Sequence, residues 1–246
     1  MKMLKIEPRL TLDYLVTGTG RCGTVYMARL LTSLGIRCTH EAIFNFQGLE
    51  AAKETLNLQR KLENSYCSNY DILNERKIDV WIELKGKIQA ESSYMAAPFL
   101  DDDIFKSTKI IHVVRNPLKV ISSYVKDMNF FDPHIKHNLW LDFILDNMPE
   151  LNQIENSIER ACYYYTNWNA LIESKISSHK NMRHKVENKC SQSLLDFLEI
   201  SDSSNAFLDS TINSWKRRTE DLTFNNIPDG SIKRSFIEMA SRYEYI

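Results

Sequence analysis

The sequence predicts an α/β fold, a mainly parallel sheet flanked by helices. Three observations carry this expectation. A strand, a glycine loop and a helix follow one another without a break over residues 12–34. A second short strand comes directly after that helix. The apolar run Lys109–Val114 then ends at an Asn-Pro helix start. A strand joined to the next strand through a helix is the parallel crossover unit. A strand without polar alternation is covered on both faces, as in parallel sheets.

Each element has its own signal. Leu12–Thr17 alternates polar and apolar residues and finishes β-branched, which reads as a strand. Met27, Leu30, Leu31 and Leu34 recur at i, i+3, i+4 and i+7, one face of a helix, and Gly35 stands at its C′ position. Ile36–Thr39 is the second strand. Residues 49–66 read as a polar helix, Asp79–Glu83 as a strand, and Glu91–Leu100 as a passage from loop to helix. Lys109–Val114 is the clearest buried strand; after it Asn116 supplies a cap and Pro117 the first helical residue. Met128–Leu151 is aromatic and irregular. Ile154, Ile158, Ala161, Tyr165, Trp168 and Ile172 then define a long core-facing helix. His184–Glu187 reads as a last strand and Ser193–Ile200 as a short helix. No repeat, low-complexity tract or linker interrupts the chain, so residues 1–246 are expected to form one domain.

Composition narrows the function classes. A net charge of -1 on 246 residues argues against bulk binding of nucleic acid or polyanions, while leaving room for a local basic pocket. The five cysteines (22, 38, 67, 162 and 190) are odd in number and include no C-x-x-C, so reduced thiols are expected rather than a disulfide frame or a zinc site. The opening MKMLKIEPRLTLDYL holds no apolar run long enough for a signal peptide or a membrane span. A soluble, cytoplasmic protein is the expectation.

The glycine loop is the first motif with chemistry in it. Gly18, Gly20 and Gly23 are three of the chain's seven glycines, placed between a strand and a helix. They match G-x-G-x-x-G, the dinucleotide fingerprint, and Glu41 lies near the end of the second strand, where a ribose ligand would stand. They also match the G-x-x-x-x-G half of a Walker loop, but Thr24-Val25 replaces its Lys-Ser/Thr, which disfavours nucleoside triphosphate hydrolysis. Neither pattern accounts for Arg21. Backbone N–H groups at a helix N-terminus form an anion cradle carrying roughly +0.5 charge. A guanidinium inside that loop adds bidentate donors for a more highly charged oxyanion, and Thr24 can add a hydroxyl. The bland alternative is a tight strand-to-helix turn and nothing more.

A second motif repeats the chemistry. Arg115 stands at the carboxyl end of the buried strand, where open α/β sheets place their ligands, and Ser123 follows eight residues later beside Ser122. A nucleotide with a separate 3′-phosphate needs such a second Arg-plus-hydroxyl site; NADP would use it and NAD would not.

With both motifs in hand, the chain resembles the sulfotransferases that use 3′-phosphoadenosine-5′-phosphosulfate (PAPS). The 5′-phosphosulfate loop of that family reads approximately P-[RK]-S-G-T-[TS], matched here at Arg21, Gly23 and Thr24 of Gly20-Arg21-Cys22-Gly23-Thr24-Val25. Its 3′-phosphate segment, R-[DN]-P-x-x-V-x-x-S, is matched at Arg115, Asn116, Pro117, Val120 and Ser123. The order of the motifs and their separation of about ninety residues also fit. Fainter similarity extends to Cys162-Tyr-Tyr-Tyr-Thr-Asn-Trp168 and to the C-terminal tail. Cys22 and Val25 depart from the family, removing two oxygen donors. The resemblance implies a P-loop-like fold, PAPS as co-substrate without a metal, and sulfuryl transfer to a hydroxyl or amine of a glycan or small molecule. It also implies a loop of Gly20, Arg21, Cys22, Gly23, Thr24 and Val25 around the 5′ end, Arg115 and Ser123 at the 3′-phosphate, and Trp215 and Lys216 closing over adenine.

The proton acceptor is sought in Cys38-Thr-His40-Glu41, after the second strand, which adjacent parallel strands would bring beside the glycine loop. Glu41 is the favoured base by its post-strand position, as in carbohydrate and protein sulfotransferases, with His40 as orienter or reserve base. Arg21 would stabilise the charge of the transferring group. Glu91-Ser92-Ser93 reads either as part of the same crevice or as a helix-start cap. Asn129–Pro133 with Trp140–Phe143 reads either as an acceptor wall or as core, and Asp101–Asp103 as a hydrophilic turn. His134 and His137 stand at i, i+3 and read as a solvated edge rather than a metal site. Two alternatives remain open on the residues alone: an NADP-type oxidoreductase using the G-x-G-x-x-G reading, and a non-catalytic nucleotide-binding relative.

Overall fold

The computed structural model describes residues 11–61, 88–134, 138–201 and 221–246, with side chains left undescribed at 57–61. Its centre is a five-stranded parallel sheet: β1 (Tyr14–Thr17), β2 (Cys38–His40), β3 (Ala90–Ser92), β4 (Lys109–Val114) and β5 (Asn181–Lys185), in the spatial order β2-β3-β1-β4-β5. The predicted α/β class with a parallel sheet is what the chain forms. The helices are α1 (Thr24–Ser33), α2 (Gly48–Lys61), α3 (Pro117–Ser122), α4 (Leu139–Asn147), α5 (Ser157–Ile176), α6 (Gln192–Leu198) and α7 (Ser231–Arg242). None of the described helices is long and apolar enough to cross a membrane.

Strand alternation divides the core between the two faces of the sheet. Val16, Ile111 and Val113 pack with Met27, Leu30 and Leu31 of α1 and with Leu194 and Leu198 of α6. Leu15, Ile110 and Val114 point the other way, into a larger cluster built from α2, α3, α4, α5 and α7. This larger layer is aromatic: Tyr164 lies 5.3 Å from Trp168 and 5.2 Å from Phe131, ring centre to ring centre. Phe130, Phe131 and Phe143 are therefore core residues, and of the two readings of the 129–143 segment the packing one holds for these rings. Trp140 is half-buried, edge-on to Phe46.

Local signals placed most elements within a few residues. Asn116 caps α3 by accepting from the Lys119 N–H, with Pro117 in the first turn. Gly35 has φ +87°, the left-handed C′ residue that follows α1. The C-terminal helix α7 and the middle helix α4 were not anticipated, and neither was β3. Ala90-Glu-Ser is short and two-thirds polar, so it carries no strand signal, yet it pairs with both β1 and β2. The predicted strand Asp79–Glu83 lies outside the described residues.

The insertion of β3 corrects one expectation directly. β1 and β2 are not neighbours, so adjacency of strands cannot bring His40 and Glu41 to the glycine loop. They reach it by another route, across the start of α1.

Candidate anion-binding site

All three loop glycines are required by the protein's own packing. A Cβ on Gly18 would collide with the Val113 carbonyl of β4 and come within 2.7 Å of Cys22 Sγ. One on Gly20 would land on the Tyr124 hydroxyl. Gly23 has φ +107° as the residue before α1, and a Cβ there would stand 2.6 Å from Val186 Cγ2. The loop is thus wedged between β4, the segment after α3 and the turn after β5. Cys22 hangs inward and is fully buried, its thiol pushed up to about 12 by that burial. Its sulfur lies beneath the loop beside the Thr19 hydroxyl and the N–H groups of Cys22 and Thr24, and any contact from Cys22 to a ligand on the outer side of the loop would fall to its backbone. Val25 is half-buried on the first turn of α1 and offers only its backbone as a polar group.

Arg21 is held in the left-handed region, φ +65°, unusual for a residue with a Cβ. Two contacts hold it there. Its Nε donates to Ser123 Oγ at 3.0 Å, and its carbonyl accepts from Arg115 Nη1 at 3.0 Å. The two arginines and the serine singled out in the sequence therefore meet around one backbone turn, at the carboxyl ends of β1 and β4. Burial, with Arg115 close by, lowers the Arg21 pKa, partly offset by Tyr124 and Asp127; a guanidinium stays charged through such a change.

Ser123 reaches this position because α3 does not continue as a regular helix. Ser123–Asp127 is a π-helical turn, a widening common at functional sites. It aims Ser123 at Arg21 and Tyr124 at Gly20 from consecutive positions. Neighbouring Ser122 is spent on structure, donating to the Leu118 carbonyl and accepting from the Leu222 N–H.

The other wall is built by Thr24, His40 and Glu41. Thr24 is the first residue of α1; its hydroxyl lies 3.1 Å from His40 Nε2, and its carbonyl accepts from the Ser92 hydroxyl at 2.8 Å. Ser92, at the end of β3, thus bridges the gap that strand adjacency was expected to close. His40 Nε2 is 3.6 Å from Glu41 Oε1. Desolvation lowers the His40 pKa to about 4, so its imidazole is neutral near pH 7 and this contact is not an ion pair. Glu41 itself adopts φ +51°. The buried carboxyl of Glu91 accepts from the Thr39 hydroxyl and from the N–H groups of Ile43 and Phe44, pinning the chain just beyond Glu41. Its burial raises its pKa to about 7 against the opposing pull of those hydrogen bonds. Ser93 caps the following turn, accepting from Met95 N–H while donating to the Phe44 carbonyl at 2.6 Å.

Several supporting groups carried no sequence signal. Tyr164 accepts the Gly20 N–H at 3.1 Å, and Tyr165 donates to the Arg115 carbonyl at 3.3 Å. Glu187 accepts from the Asn116 N–H and from the Tyr245 hydroxyl. Only the run Cys162-Tyr-Tyr-Tyr-Thr-Asn-Trp168 pointed at the two tyrosines, and through resemblance alone. Trp215 and Lys216 lie outside the described residues. Among the described residues no three His, Cys, Asp or Glu side chains gather as a metal site.

What results is a corner with two guanidinium groups, the N-terminus of a ten-residue helix, two hydroxyls and one half-buried carboxylate, suited to a polyanion beside a proton acceptor. No protein-family model matches the chain, and a search of curated proteins finds no match either.

Proposed function

We propose that this protein binds PAPS and transfers its sulfuryl group to a hydroxyl or amine of a carbohydrate or small molecule. The observation that carries the reading is the meeting of Arg21, Ser123 and Arg115 around one turn, although the two motifs lie far apart in sequence. The strand order supports a P-loop-like arrangement, with β1 between β3 and β4 and the glycine loop at its carboxyl end.

In this reading Arg21, Gly23, Thr24 and the first N–H groups of α1 hold the 5′-phosphosulfate, and Arg115 with Ser123 holds the 3′-phosphate. Gly20, Cys22 and Val25 shape the loop, and the resemblance assigns the adenosine to Trp215 and Lys216. The acceptor oxygen attacks sulfur in line and the bond from sulfur to the bridging phosphate oxygen breaks. The sulfuryl group leaves on the acceptor, and adenosine 3′,5′-bisphosphate is released. The acceptor proton passes to the Glu41 carboxylate. His40, neutral and in contact with both Thr24 and Glu41, orients the two rather than acting as the base. Arg21 offsets the charge developing on the bridging oxygen.

The NADP reading fares worse. A dinucleotide fold places its second strand beside the first, with an acid there for the ribose; here β3 intervenes and Glu41 follows a strand two places away. The second glycine of that motif leaves room for pyrophosphate, whereas the free face of Gly20 is filled by Tyr124.

Thermal unfolding with adenosine 3′,5′-bisphosphate, AMP and NADPH tests the proposal. Stabilisation of about 2.7 kcal/mol is expected at a hundredfold excess of bisphosphate over Kd. It should be lost in Arg21→Ala and reduced to the AMP level in Arg115→Ala. Indifference of the wild type to the 3′-phosphate would refute the assignment, and binding without sulfuryl release to any acceptor would identify a non-catalytic relative.

A further inference from the structure

Tyr164 and Tyr165 occupy adjacent positions on α5, yet each holds the backbone of a different motif. Tyr164 takes the N–H of Gly20, the residue immediately before left-handed Arg21. Tyr165 donates to the carbonyl of Arg115, fixing the turn that carries that guanidinium. Both rings are buried, at 0% and 1% exposure, so neither hydroxyl can swing away to solvent. Tyr164 is wedged among Phe131, Tyr124 and Trp168, and Tyr165 lies against Phe236 of α7. Consecutive helical residues point about 100° apart around the axis. One rigid helix therefore reaches both the glycine loop and the turn after β4, which meet where Arg115 donates to the Arg21 carbonyl.

We propose that Tyr164 and Tyr165 are positioning residues that fix the spacing between the two anion-binding turns, so that a ligand with two separated anionic groups is favoured over a single anion. Resting on the function proposed above, this names what sets the site's selectivity. Arg21 is then held at three points: the preceding residue's N–H by Tyr164, its carbonyl by Arg115 and its Nε by Ser123. Arg115 is tied to the same frame through its own carbonyl. Removing either phenolic oxygen keeps every charged side chain and frees the backbone that the hydroxyl held; at Tyr164 it also removes the bond to Tyr124.

The test uses Tyr164→Phe, Tyr165→Phe and the double variant, which keep the rings and delete the hydroxyls. Calorimetric titration at a temperature where all variants are folded measures Kd for adenosine 3′,5′-bisphosphate and for inorganic sulfate. Each single change is expected to weaken the bisphosphate about fivefold, the loss of one net hydrogen bond, and the double variant by more than tenfold. Sulfate, which needs only one turn, should change less than twofold. A purely structural role would lower the unfolding midpoint but leave the bisphosphate-to-sulfate ratio of affinities where it was, and that result overturns the inference while leaving the function intact. If the wild type itself binds the bisphosphate no better than AMP or sulfate, the function falls first and the inference with it.

Discussion

Gly20→Ala offers a test of the loop's architecture that needs no ligand. Gly20 is not at positive φ, so alanine is conformationally acceptable there, and stiffening the unfolded chain would by itself stabilise by about 0.4–1 kcal/mol. Sterics decide otherwise. The new methyl would overlap the Tyr124 hydroxyl, and Tyr124, 3% exposed, is packed against Phe130, Phe131 and Tyr164 with ring centres 5.3, 5.0 and 5.5 Å away. Overpacking in so confined a place costs about 1–3 kcal/mol, which for a chain of this size lowers the unfolding midpoint by roughly 2–10 °C. Deleting the hydroxyl leaves the next ring atom, Cζ, 3.3 Å from the added carbon, a contact a slight shift relieves. Tyr124→Phe alone should cost about 1 kcal/mol for the lost bond with Tyr164. In that background Gly20→Ala should be nearly neutral, a coupling of about 1–2 kcal/mol between neighbours. Urea unfolding of the four proteins, followed by circular dichroism, gives the cycle. Additive costs would mean that the glycine answers to something other than Tyr124, and the steric argument would be wrong.

Other outcomes follow from the same geometry. Cys22→Ser, although serine stands at this place in the sulfotransferases the sequence resembles, should not tighten bisphosphate binding, because the side chain is buried beneath the loop beside the Thr19 hydroxyl and the N–H groups of Cys22 and Thr24; a gain in affinity would show that this side chain faces the ligand. Glu41→Gln should cut turnover about 100-fold or more with donor binding preserved, and unchanged turnover would send the search for the base elsewhere. Acid should destabilise the fold: His40, His112 and His184 are held near pKa 4 by burial, so between pH 6.5 and 4 the unfolded chain takes up protons that the native state refuses. Glu91, raised to about 7, acts in the opposite sense between pH 4.5 and 7, keeping a proton that the unfolded chain releases. Three groups against one give a net loss of several kcal/mol from pH 6.5 to 4, measurable by denaturant titration; stability flat across that window would contradict the burial of these histidines.

The sequence by itself determined the class of fold and singled out the residues of the two candidate anion motifs, because both are written in local terms. Lys109–Val114 carries β-branched apolar residues on both faces of the pleat, the Asn116-Pro117 cap acts within one helical turn, and Gly18, Gly20 and Gly23 stand out in a chain with few glycines. Only the tertiary structure decided that Arg21, Ser123 and Arg115 meet, that Cys22 turns inward, and that β3 separates β1 from β2. Strand order is a matter of which hydrogen-bonding edges find each other across long stretches of chain. A three-residue polar strand such as Ala90-Glu-Ser, buried only by its neighbours, has nothing in its own pattern to announce it. The same holds for Tyr164 and Tyr165: Tyr165 reads as core by its periodicity, Tyr164 falls outside that pattern, and their hydroxyls acquire a purpose only once two distant backbones arrive within reach.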